Sequence, residues 1–350
     1  MAGAKEFEEP DFGRFKSGQR RVVRLSEERL VELGYLNDDR KFPLLIKPAA
    51  DNVSLTSWAA SNRGLLENCL SKHGAILFRN FDVKSVGQFE EVIRSISEGP
   101  LEYNERSSPR SQVSGNIYTS TDYPSEQSIF LHNEQSYNST FPMKIFFFCL
   151  TPAQRGGETP IADCRKVYER LGPEIVRAFR ERKYMYVRNF GDGFGLSWQS
   201  AFRTTDKATA EKYCRKNEID FEWKGNDRLK TRQVRRAVAT HPRTGEQAWF
   251  NHLTFFHVST LEPNIRARLL AEFTEGELPN NTYYGDGADI EPAVLNQLRD
   301  SYTAEEVTFS WQVGDVLMLD NMLTAHGRRP YAGLRKVVVG MAELFEWKNA

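Results

Sequence analysis

GDVLMLDNMLTAHGRRPYAGLRKVVVGMAE, residues 314–343, reads as an apolar strand and a turn followed by His326, with Arg335 nine residues later opening another apolar strand. Two strands joined this way need partners, and the chain before them supplies many. From about Tyr103 onward come short strand-like runs (IYTS, SIFLH, MKIFFFCL, YMYVRNF, RQVRRAVATH, AWFNH and VTFSW), broken by Gly, Pro, Asn and Ser. Many short strands at irregular spacing predict a sandwich or barrel rather than a parallel α/β sheet. Helical insertions interrupt them near 165–180, 207–217, 263–273 and 292–302.

The first hundred residues mix helix and strand. Ser26 is placed to cap a helix through LSEERLVELGY, with Glu27 and Glu28 at its positive end. Leu55, Trp58, Leu65, Leu66, Cys69 and Leu70 give 54–72 the spacing of an amphipathic helix. GAILFRNF at 74–81 follows as a buried strand, and 86–96 as a further helix. There is no repeat and no Pro/Gly/Ser-rich linker. The expected organisation is an N-terminal arm at 1–20 and one domain over 21–350, with a helical and loop insertion around 163–300.

Composition narrows the function. Acidic and basic residues balance at 47 each, so no long-range field favours nucleic acid or an anionic membrane. The basic run 228–236 reads as a solvated edge. The charged N-terminus is not a secretory signal, and no stretch is long and apolar enough to span a bilayer. Cys69, Cys149, Cys164 and Cys214 share no metal or redox spacing, which fits small core residues in a reducing cytoplasm. Oligomeric state is left open.

Of the six histidines, only His132 has an acidic residue two positions on, in L-H132-N-E134-Q. On an extended strand, residues two apart share a side, so His132 and Glu134 can meet one cation. Chance supplies roughly 0.8 such pairs in this composition, so the pair alone decides little. His326 raises its weight, because two histidines and one carboxylate form a facial set that leaves metal positions open. Arg335 offers a fork for a carboxylate, and Thr159 in GGETPIAD offers a hydroxyl to the same group.

Other polar residues have plainer readings beside the functional ones. Arg328 is either solvated or in reach of a substrate carboxylate. Arg188 and Asn189 end a strand before a glycine-rich loop, where strand-end polarity explains them nearly as well as a pocket does. Asn133 points away from the ligand face and braces the fold. His73, His241, His252 and His257 read as structural. The glycine runs at 191–195 and 285–287 lack the strand–glycine–helix setting of a phosphate loop.

Taken together, the His132/Glu134 pair, the G-G-x-T with Thr159 27 residues after His132, and His326 followed by Arg335 resemble the taurine dioxygenase family of iron/2-oxoglutarate enzymes. YTSTDYP, LHNEQSY, GGETPIADCR, YVRNFGDGFGLSWQ and DNMLTAHGR are similar to the branch of nonribosomal peptide pathways typified by the syringomycin-pathway aspartate hydroxylase. The resemblance implies a mainly β, double-stranded β-helix (jelly-roll) fold with helical insertions. It implies Fe(II) on His132, Glu134 and His326, 2-oxoglutarate held by Thr159 and Arg335, and O2 as oxidant. The expected reaction is hydroxylation of an amino acid, free or on a peptidyl carrier protein, with release of succinate and CO2.

Val339 stands four residues after Arg335, where the taurine enzyme has its sulfonate-binding Arg, so taurine is not the expected substrate. The related halogenases lack the metal carboxylate, so Glu134 argues against halogenation. Desaturation or cyclisation by the same cofactors remains open. A zinc hydrolase on the same ligands and a non-catalytic jelly-roll binding protein are the rivals of other classes.

Overall fold

The computed structural model describes residues 30–347, apart from 37–38, 103–104, 106–109, 121–122, 192–194 and 226. The expected arm at 1–20 lies outside these residues, as do 26–29 of the expected first helix. Two sheets face each other. The larger has eight strands in the order Val31–Tyr35, Leu44–Pro48, Ala75–Phe78, Val316–Asp320, Thr140–Thr151, Lys336–Glu346, Ile117–Thr119 and Gln112–Ser114. All of its pairs are antiparallel except Leu44–Pro48 with Ala75–Phe78. The smaller sheet places Thr324–Arg328 between Ile129–His132 and Ile161–Asp163.

The apolar run at 145–149 shows why the larger sheet is central. Phe146 and Phe148 face outward onto the helices Leu55–Ser61, Arg63–His73 and Val86–Ile96, meeting Leu66, Leu70, Phe89 and Ile93. Ile145, Phe147 and Cys149 face inward, with Leu317, Leu319, Val337 and Val339, toward Ile161 of the smaller sheet. A strand buried on both faces reads as continuous rather than alternating hydrophobicity. On the smaller sheet's outer side, Leu131, Ala162 and Ala325 pack against Cys164–Arg170, Pro173–Arg182 and Pro292–Glu305. Residues 163–300 also hold a separate antiparallel sheet of Ile219–Lys224, Arg228–Arg235, Tyr184–Phe190 and Asn280–Tyr284. No helix among the described residues is long and apolar enough to cross a membrane.

Three local expectations are corrected. Residues 31–35 of the expected first helix form an edge strand, because pairing with Leu44–Pro48 overrides their helical pattern. The helix over 54–72 is two helices, Leu55–Ser61 and Arg63–His73. It breaks at Asn62, whose side-chain amide donates to the Trp58 carbonyl at 2.8 Å and substitutes for the ladder. VTFSW is not a strand. Only Val307 bridges to Ile161, and the chain then runs irregularly while Phe309 and Trp311 fill the space between the sheets.

Gly74 ties the outer helices to the smaller sheet. It ends Arg63–His73 at φ 73°, and its carbonyl accepts from the Thr324 hydroxyl at 2.8 Å and the Asp320 N–H at 2.9 Å. A Cβ at Gly74 would lie 2.6 Å from Thr324 Oγ1. Gly74→Ala is therefore expected to cost about 2–4 kcal/mol, from left-handed backbone strain plus overpacking. Gly64→Ala has the opposite sign. Gly64 is exposed within the same helix with nothing within 4 Å of the added carbon, so up to about 1 kcal/mol is gained. Urea unfolding midpoints of the two variants measure both values.

Candidate active site

Cross-strand pairing assembles the site. His326, in Thr324–Arg328, lies directly opposite His132 at the end of Ile129–His132, and the ring centroids are 4.6 Å apart. A bulge between His326 and Arg328 shifts the register beyond this pair. His132 Nδ1 is 2.8 Å from the Phe130 carbonyl, which only accepts, so Nδ1 carries the proton. Its Nε2 lone pair is then left for a metal. His326 Nε2 is 3.8 Å from Glu134 Oε2, and one ligand atom from each of His132, Glu134 and His326 lies within 4.8 Å of the others.

Glu134 reaches this point by a different route from the one expected. The strand ends at His132, and Glu134 belongs to the following turn, so strand alternation does not aim it. Asn321 does. Its Oδ1 accepts the Glu134 N–H at 2.8 Å, and its Nδ2 donates to the carbonyls of Glu134 and Pro142, both at 2.8 Å. Asn133 locks the other side, donating to the Asn321 carbonyl at 2.7 Å while its Oδ1 accepts from the Asn251 N–H. Asn133 therefore braces the turn.

Burial lowers the pKa of both His132 and His326, so the imidazoles are neutral near pH 7, the state a metal needs. Phe255 stacks on His132 with centroids 4.8 Å apart, and Phe147 meets His326 edge-on at 5.1 Å. His252 lies 4.8 Å from the His132 ring and is held by the Ser136 hydroxyl at 2.7 Å. It is part of the wall. His241 is structural in another way: its Nδ1 accepts from Thr244 N–H, so Nε2 donates to Asp320 at 2.9 Å.

His132 and His326 line a cavity together with Thr159, Ser120, Arg110, Arg328 and Arg335. Arg335 donates to the Gly157 carbonyl at 2.8 Å and the Ser120 hydroxyl at 3.2 Å, and its Nη2 is 3.5 Å from Thr159 Oγ1. Among the described residues it meets no carboxylate. Burial, then the nearby Arg328, push it down to about 10. A half-buried guanidinium with neutral partners favours an anionic ligand. Gly156 and Gly157, at φ 68° and 75°, make this possible. A Cβ on Gly157 would sit 2.9 Å from Arg335 Cδ, so the G-G pair lets the arginine stem lie against the backbone.

Arg328 lines the same cavity, but its terminal nitrogens donate to the carbonyls of Tyr123, Pro124 and Gln127. It clamps that loop. Arg188 is not brought to this cavity. It pairs with buried Glu105 at 3.4 Å and stacks on Phe190. Asn189 is also elsewhere, its amide donating to the carbonyls of Gly276 and Leu278. Strand-end bracing is the role these contacts give it.

Two residues of the site escaped the sequence reading. Asn321 carried a usable signal, a polar amide inside the apolar run LDNMLTAHG. Arg110 carried none, lying in the polar stretch PRSQ. Its Nη2 donates to Glu134 Oε2 at 2.6 Å with both side chains buried, so it neutralises the buried carboxylate.

Comparison with known proteins agrees with this geometry. Residues 38–341 match the family model "Taurine catabolism dioxygenase TauD, TfdA family". The dapdiamide synthesis protein DdaC of Enterobacter agglomerans is 39% identical over 302 residues, covering 84% of this chain and 92% of that protein. A clavaminate synthase-like protein of Arabidopsis thaliana is 28% identical over 324 residues, covering 87% and 95%. In fold, the chain is similar to PvcB of Pseudomonas aeruginosa, described as an Fe, alpha-ketoglutarate dependent oxygenase from an isonitrile synthetic pathway. That match has TM-score 0.53 and 15% identity, over 91% of this chain and 95% of that one. A taurine dioxygenase from Burkholderia xenovorans matches with TM-score 0.54 and 16% identity, over 92% and 93%. The chain belongs to the TauD/TfdA family and is an iron- and 2-oxoglutarate-dependent oxygenase with a jelly-roll core.

Proposed function

We propose that this oxygenase hydroxylates an unactivated carbon of an amino acid, free or carried on a peptidyl carrier protein, during natural-product synthesis. One observation carries the reading of the site. The neutral, paired imidazoles and the anion-seeking Arg335 share one cavity, and the Glu134 carboxylate lies within 4.8 Å of both imidazoles. The substrate side of the reading rests on the dapdiamide synthesis relative and on the similarity in sequence to amino-acid hydroxylases of nonribosomal peptide pathways. Val339 supports the exclusion of taurine, since it is fully buried in the inner core where it offers no charge.

In this reading His132, Glu134 and His326 hold iron, which with 2-oxoglutarate and O2 supplies the oxidant for a substrate C–H bond. Arg335 and Thr159 bind the far carboxylate of 2-oxoglutarate and so orient its keto-acid end toward the three ligands. Phe147, Phe255 and Ile129 keep water from the reacting centre. Arg328 and Arg110 close the cavity, one by clamping the 123–127 loop and the other by bracing Glu134. A zinc hydrolase would need a general base here, and among the described residues no carboxylate lines the cavity.

Anaerobic titration with Fe(II) and then 2-oxoglutarate is expected to raise a weak visible charge-transfer band, absent from His326→Ala, which binds no iron. No band from folded, iron-loaded wild type would sink the assignment. Arg335→Gln is expected to keep iron but raise the 2-oxoglutarate requirement about 10- to 100-fold, since a charged hydrogen-bonded contact is lost. An unchanged requirement would move the far carboxylate to another arginine. Folding should also depend on pH. Burial lowers the pKa of His132, His252 and His326, and that of His257 to about 4. Below the unfolded value near 6.5, the unfolded chain then binds more protons than the folded one. Stability of the metal-free protein is expected to fall as pH drops from 6.5, by up to about 1.4 kcal/mol per pH unit for each histidine. Urea midpoints between pH 7.0 and 5.5 measure it, and a flat profile would contradict the neutral buried imidazoles.

A further inference from the structure

Among the described residues the Thr159 hydroxyl has two polar neighbours, and both can only donate. The Trp311 indole Nε1–H donates to Thr159 Oγ1 at 3.1 Å, within the protein interior, and Arg335 Nη2 approaches the same oxygen at 3.5 Å. A threonine hydroxyl has two lone pairs and one proton, whereas indole and guanidinium have no acceptor. With both lone pairs facing donors, the hydroxyl proton must point elsewhere, and Thr159 donates to no described residue. The direction left is the cavity that Thr159 lines together with His132, His326 and Arg335. Trp311 does not line that cavity. It packs edge-on against Phe309 with centroids 5.1 Å apart, and among the described residues its polar link to the site is the bond to Thr159.

We propose that Trp311 is a positioning residue that fixes the Thr159 hydroxyl as a donor and makes this end of the pocket selective for a carboxylate over a neutral group. The inference rests on the reading that Thr159 and Arg335 receive the far end of 2-oxoglutarate. A hydroxyl that already accepts from an N–H is polarised toward donating its own proton. An acceptor opposite it satisfies both Thr159 and Arg335. A methyl group there would strand two buried donors, which is the expensive case. Without the indole N–H, the hydroxyl can rotate and its proton is no longer aimed.

The experiment compares 2-oxoglutarate with 2-oxopentanoate, in which a methyl replaces the far carboxylate, by anaerobic calorimetry on the Fe(II)-loaded protein. Trp311→Phe keeps an aromatic ring and removes the N–H. It is expected to weaken 2-oxoglutarate about tenfold while leaving 2-oxopentanoate within about twofold. Thr159→Val should show a similar selective loss, Thr159→Ser should not, and Trp311→Phe added to Thr159→Val should cost nothing further. Equal weakening of both acids by Trp311→Phe would reduce Trp311 to packing and overturn the proposal. So would a selective loss in Arg335→Gln with none in Trp311→Phe. If Arg335→Gln also leaves the discrimination intact, the underlying placement of the far carboxylate fails instead. Should Trp311→Phe not fold, the indole proton of Trp311 is followed by NMR in the Zn(II)-loaded wild type. Its resonance should move with 2-oxoglutarate and not with 2-oxopentanoate, and an unmoved resonance overturns the proposal.

Discussion

Antiparallel register between Thr324–Arg328 and Ile129–His132 is the constraint on which the site depends, because it sets His326 opposite His132 on the inner side of the smaller sheet. Strand side chains alternate, so a slip of one residue would turn His326 toward the outer helices and bring Ala325 inward. The register is held from both faces. Ala325, Ala162 and Leu131 pack outward under the helices, while Ile161 joins the inner core. Gly327 contributes by having no side chain, since a Cβ there would lie 2.5 Å from the Ile129 carbonyl. Burial on the outside thereby fixes geometry on the inside.

Charge is the second constraint. Arg110, Arg328 and Arg335 line the cavity, and Glu134 pairs with Arg110. Each guanidinium is provided for differently. Arg110 has the carboxylate, Arg328 has three backbone carbonyls, and Arg335 has one carbonyl and two hydroxyls. Arg335 is thus the least compensated of the three, and desolvation weighs on it. In the proposed binding mode a dianionic co-substrate relieves that cost, so part of its affinity is already stored in the folded protein. This fits a pocket built on a strand lead-in and a glycine pair, where the arginine stem has little freedom to turn away.

What could be read from the residues followed from whether the partners were local. The helix at 86–96 matched its apolar spacing, and Ser85 caps it at Gln88 N–H. His132 and His326 stood out because few histidines compete with them and because Arg335 and Thr159 follow at family spacing. Glu134 does lie within 4.8 Å of the two imidazoles, but a turn held by Asn321 aims it rather than strand alternation. Asn321, Arg110 and Trp311 act across 187, 24 and 152 residues respectively, distances over which a single sequence gives no pairing signal. The edge strand Val31–Tyr35 was misread for the same cause, as its identity comes from Leu44–Pro48.

Position along Val316–Asp320 and the turn after it shows how these levels join. Asp320 accepts from the N–H groups of Met322 and Leu323 and from His241, capping the turn that precedes His326. Asn321, next in the chain, reaches across to the Glu134 backbone. Gly74, at the end of an outer helix, binds Asp320 and Thr324 on either side of that turn. One five-residue segment, 320–324, therefore receives the outer helix and the Glu134 backbone and leads directly into His326. Polar bonds do this work because they are directional. Apolar packing can tolerate shifts of a few tenths of an ångström, whereas a facial set of ligands loses its geometry over a similar distance. The buried amides and carboxylate of this turn are costly to desolvate, and their full satisfaction by hydrogen bonds is what makes that cost bearable in the interior of the barrel.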